Sequence, residues 1–64
     1  MDIVLINEVL EKLKTGELYE YYVKKEDFLP FRQILVQRED FKNFRGIAQR
    51  SGDVLYQYLK APRS

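Results

Sequence analysis

Ten residues of this chain are nearly repeated: Lys25-Glu-Asp-Phe-Leu-Pro-Phe-Arg-Gln-Ile34 returns as Arg38-Glu-Asp-Phe-Lys-Asn-Phe-Arg-Gly-Ile47, with six positions identical and a seventh keeping its charge. An acidic pair followed by two aromatics three apart and then Arg has the form of a helix start. A carboxylate there accepts from first-turn N–H groups that lack intrahelical partners, and the two rings fall on one face. The repeat therefore constrains architecture first: either both copies are helices and the chain is a bundle, or one copy is diverted into other structure.

The first copy reads as a helix over 27–38. Asp27 is the expected cap, Pro30 falls in the first turn where its missing N–H is harmless, and Phe28, Phe31, Ile34 and Leu35 form the buried face. Arg38 then sits near the helix C-terminus, where a cation is favourable. In the second copy Gly46 would cost a helix about 1 kcal/mol. The following residues carry a different signal. Ser51-Gly52 is a turn dipeptide, Arg50 and Asp53 would face one another across it, and Val54, Tyr56 and Tyr58 alternate along a β-prone run. The second copy is therefore read as the first arm of a hairpin.

Upstream, residues 2–14 read as a helix capped by Asp2. Ile3, Ile6, Leu10 and Leu13 recur at helical spacing, Glu8 and Lys12 make an i,i+4 pair, and Gly16 suits the left-handed C-terminal position. Residues 17–24 alternate Tyr19, Tyr21 and Val23, as a strand with one ring-bearing face does. The expected fold is α+β, two helices on a small three-stranded antiparallel sheet in the order α-β-α-β-β, with a three- or four-helix bundle as the alternative. The whole chain forms a single small globular domain, and residues 60–64 read as a frayed basic tail.

A chain of 64 residues without Cys or His has neither a disulfide nor the usual zinc ligands to stabilise it, so association with another chain is the remaining route. No leader-like or membrane-spanning apolar stretch is visible, and a cytoplasmic location with no membrane partner is expected. Catalysis is not expected. A nucleophilic Ser or Thr would need an activating base that only Lys or a carboxylate could supply, and none is placed for catalysis; the pairs Glu26-Asp27 and Glu39-Asp40 read as caps and solvated charge, and no glycine-rich phosphate loop exists. No cofactor is implied.

Binding is the remaining class of function. Residues 1–31 carry a net charge of −3 and residues 32–64 a net charge of +4, with every Arg in the second half. Five Tyr and four Phe are many for so small a core, and Tyr with Arg is enriched at interface hot spots. The candidate surface is Lys42, Arg45, Arg50, Tyr56 and Tyr58. Two partners fit it: another protein, above all a second copy of this chain, and, as the alternative, a nucleic acid whose phosphates meet the cations and whose bases stack on the tyrosines.

Overall fold

The computed structural model describes residues 1–61; residues 62–64, part of the stretch read as a basic tail, lie outside the described residues. Helix α1 spans Ile3–Thr15. The Asp2 carboxylate accepts from the Val4 amide at 3.1 Å, and Gly16 at φ 86° ends the helix with its N–H on the Leu13 carbonyl. Its buried stripe is Ile6, Val9, Leu10 and Leu13. Ile3, expected on that stripe, is 61% exposed, and Val9, one turn beyond Ile6, joins the stripe instead. The Glu8–Lys12 pair forms at 3.2 Å.

Strand β1 is Glu20–Val23, helix α2 is Lys25–Leu35, a single 3-10 turn covers Phe41–Asn43, and strands β2 (Phe44–Ala48) and β3 (Val54–Tyr58) follow. The order is α-β-α-β-β, an α+β fold, and no helical bundle forms. The sheet is antiparallel in the order β1-β3-β2, with Tyr21 opposite Tyr56, Gly46 opposite Tyr56, and Phe44 opposite Tyr58. The two helices run in the same direction. The Met1 ammonium lies 3.2 Å from Asp27 at one end, and Glu11 lies 3.5 Å from Arg38 at the other.

Helix α2 begins two residues before the expected Asp27 cap, and the reason is tertiary. Its first amide, Lys25 N–H, donates to the Asp53 carboxylate at 2.8 Å, a residue in the turn between β2 and β3. That contact satisfies an orphan donor which the local sequence offers no side chain to take. Asp27 accepts from the Met1 ammonium instead. Pro30 consequently stands in the helix interior, leaving the Glu26 carbonyl without its i+4 donor, and Arg38 lies beyond the helix end.

The hairpin turn also differs in detail. Gly52 N–H donates to the Gln49 carbonyl at 3.1 Å and Gln49 N–H to the Asp53 carbonyl at 2.8 Å, with Gly52 at φ 90°. This is a three-residue loop closed by a left-handed glycine. The Asp53 carboxylate faces Ser51 and Lys25 N–H, in place of the expected Arg50.

One face of the sheet holds the core. Phe31 and Phe44 are the largest fully enclosed side chains. The Phe31 ring lies 4.9 Å from Tyr56 and 6.3 Å from Tyr21, and Phe44 meets Tyr58 edge-on at 5.0 Å. Such offset and T-shaped pairs add about 0.5–1.5 kcal/mol each beyond the area they bury.

Candidate interaction surfaces

Pairing across the sheet decides which residues share a face, because directly opposed residues point the same way. The core row is Tyr21–Tyr56–Gly46. One residue along, the opposite face carries Tyr22–Leu55–Ile47, and two residues further Glu20–Gln57–Arg45. Both helices pack on the core side, so none of the described elements forms a layer over this second face. Tyr22 is 48% exposed, Leu55, Ile47 and Gln57 are half-buried among their neighbours, and Glu20 and Arg45 are exposed. The face thus combines an apolar row spanning all three strands with a polar row that ends in opposite charges on the two edge strands.

The five residues picked from sequence do not gather on one surface. Tyr56 is in the core at 5% exposure with its ring against Phe31, and Tyr58 is half-buried on the same side against Phe44. Arg45 projects from the opposite face of the sheet. Lys42 lies in the 3-10 turn before β2 and Arg50 in the loop after it, both exposed. The cations therefore follow β2 from end to end while the rings face inward.

Glu20, Tyr22, Ile47 and Leu55 are the surface residues that the aromatic alternation passed over. The signal for them was present as the complementary phase of the same period: each sits one residue away from the inward-facing Tyr21, Val23, Gly46 or Tyr56.

On the core side, the edge strand β2 is only partly covered. A groove of about 330 Å³ runs between it and α2, lined by Phe28, Leu35, Phe41, Phe44 and Val54, with Arg32 its single charged residue among the described residues. The small residues Gly46 and Ala48 join Phe44 on its β2 wall, and both are exposed.

Two carboxylates are held in their ionised form. Asp40 accepts from Arg38 Nε at 2.8 Å and from its terminal nitrogen at 3.2 Å, and this bidentate pair pushes Asp40 below and Arg38 above their ordinary ranges. The Arg38 guanidinium also lies over the Phe44 ring, 5.7 Å from its centre. Asp53 is lowered first by the Ser51 hydroxyl at 2.8 Å and then by Lys25 N–H. Because Ser51 gives its one proton to Asp53, the Tyr22 hydroxyl is the donor in its 3.4 Å contact with Ser51. Both networks brace turns: the first fixes the segment after α2, the second ties the hairpin loop to β1 and to the start of α2.

Among the described residues no three His, Cys, Asp or Glu side chains converge as a metal cluster would require, and no helix is long and apolar enough to cross a membrane. Comparison with curated proteins and with solved structures finds no match. Residues 4–57, which take in every helix and strand from the first turn of α1 to the penultimate residue of β3, match the YkzS-like protein family, and the chain belongs to that family.

Proposed function

We propose that this protein is a small non-enzymatic interaction module that associates with itself. The observation that supports this reading is the bare second face of the sheet. Domains bury each apolar sheet face against another layer, and here the row Tyr22–Leu55–Ile47 has none among the described residues. A domain of this size without disulfide or zinc ligands also gains most from a partner's surface.

Sedimentation at micromolar concentration tests the reading. The expected result is a mass above the 7.7 kDa of one chain, with a melting temperature that rises with protein concentration. A monomer with a concentration-independent melt overturns it. Nucleic-acid binding ranks second, because Tyr56 is enclosed and Glu20 shares a row with Arg45. Oligonucleotide binding that falls steeply with salt and is lost on Arg45→Ala would reverse that order.

A further inference from the structure

The polar row on the bare face has a symmetry of its own. Glu20 stands on β1, Gln57 on the central β3, and Arg45 on β2, so the two charges are equidistant from the middle strand and of opposite sign. They are about 10 Å apart, two strand spacings, too far to pair directly within one sheet. Among the described residues neither side chain has a hydrogen-bond or ion-pair partner.

We propose that two copies of this chain pack sheet to sheet about a two-fold axis running along β3, so that Glu20 of each faces the partner's Arg45. The proposal rests on the self-association reading and specifies its surface. A rotation about an axis parallel to the central strand exchanges β1 with β2 and leaves each row at its own height. Glu20 then lies over the partner's Arg45 twice, Tyr22 over the partner's Ile47 twice, and Leu55 and Gln57 each meet their own copy on the axis. Charge is matched with opposite charge and apolar side chain with apolar side chain.

The other two-fold arrangement of stacked sheets, with its axis across the strands, fails on the same residues. It sets each charge either over its own kind or over the apolar row, depending on the height of the axis. Like charges juxtaposed in an interface are strongly unfavourable, so the pattern selects one dimer and disfavours the other. Sheets stacked face to face lie about 10 Å apart with strands within about 30° of alignment, a gap that Glu and Arg side chains span. The arrangement is isologous and closes at two copies.

The footprint also fixes the expected strength. Three strands at ~4.8 Å and five residues at ~3.4 Å give a face about 14 by 17 Å, below the ~800 Å² per partner of a standard interface. The dimer is therefore reversible, in the micromolar range, rather than obligate.

The experiment is a charge swap read by sedimentation equilibrium at low salt. Glu20→Arg alone and Arg45→Glu alone should each raise the dimer dissociation constant at least about tenfold, since each puts two like-charged contacts in the interface. The double variant Glu20→Arg with Arg45→Glu should return it to within about threefold of the parent, because the swap restores both pairs. Leu55→Glu, on the axis, should leave only monomer, with the helical signal in circular dichroism unchanged. A parent dimer indifferent to either single substitution, or singles not rescued by the double, overturns this arrangement while self-association stands. Val36 is exposed and lines the groove beside α2, so a dimer lost on Val36→Glu but kept on Leu55→Glu would move the interface to that groove and overturn it equally. A parent that is monomeric throughout overturns both readings.

Discussion

The two copies of the repeated decapeptide adopt different backbones and nearly the same environments. Lys25–Ile34 lies in α2, whereas Arg38–Ile47 is a turn, one 3-10 turn and most of β2. Yet nine of the ten paired positions are alike in being buried, half-buried or exposed. Phe31 and Phe44 correspond, and they are the two largest fully enclosed side chains among the described residues; Phe28 and Phe41 correspond, and both are half-buried. Arg32 and Arg45 correspond, and both are exposed. The repeated residues thus specify where side chains go relative to the core, and the residues that differ decide how the backbone gets them there.

Three differences account for the divergence. Pro30 pre-sets a helical φ, while its counterpart Asn43 donates from its side chain to the Leu59 carbonyl at 2.8 Å and accepts on its own carbonyl from Leu59 N–H, pinning the start of β2 to the end of β3. Leu29 gives way to Lys42, and Gln33 to Gly46. A Cβ at Gly46 would lie 3.2 Å from both the Tyr56 ring and a Val54 methyl, so the glycine leaves room for Tyr56 to lie across β2. The acids differ as well: Asp27 faces the Met1 ammonium, whereas Asp40 closes a local fork with Arg38.

The most severe break of this comparison comes from the corresponding rings. Phe31→Ala and Phe44→Ala should each cost about 3–5 kcal/mol in urea unfolding, enough to unfold a domain this small. Equal losses would confirm that the repeat encodes burial irrespective of backbone. A neutral Phe44→Ala would show that only the helical copy supports the core.

A gentler break makes the second copy more like the first. Gly46→Gln should destabilise by about 1–3 kcal/mol through overpacking against Tyr56 and Val54, measured in the same way. An unchanged midpoint would mean that the tyrosine moves aside freely.

The smallest effect concerns the acids of the turns. Asp40 and Asp53 have folded-state pKa values below those of the unfolded chain, so each stabilises the fold fully above about pH 4, the ordinary aspartate range, and that contribution is lost as the pH falls through the depressed folded value. Thermal melts between pH 7 and pH 2 should therefore show a decline that is shallower in Asp40→Asn and Asp53→Asn than in the parent. Superimposable profiles would remove these carboxylates from the account of acid stability.

Much of the fold was legible because it rests on local signals. Asp2 and Gly16 bound α1, Ser51-Gly52 marks the hairpin, and the alternation of Val54, Tyr56 and Tyr58 marks β3. What was not legible depends on residues distant in sequence. Alternation shows that β3 has two faces, but only the docking of α1 and α2 decides that the tyrosines face inward and that Leu55 and Gln57 face out. For the same reason Tyr56 and Tyr58, counted as candidates for a binding surface, lie on the core side, while Tyr22, Ile47 and Leu55 escaped notice. Tyr19, expected on the ring-bearing face of the first strand, precedes β1 and is 84% exposed.

The bond from Lys25 N–H to Asp53 closes a 28-residue span of chain, from the start of α2 to the turn before β3. The first turn of α2 has no side-chain cap from its own N-cap residue, Lys24, and takes its acceptor from the hairpin turn instead. Loosening residues 50–53 would take the acceptor away from the Lys25 amide, so the opening of the turn and the fraying of the helix start are linked through one bond. Hydrogen exchange at that one amide should therefore report the opening of a turn 28 residues away.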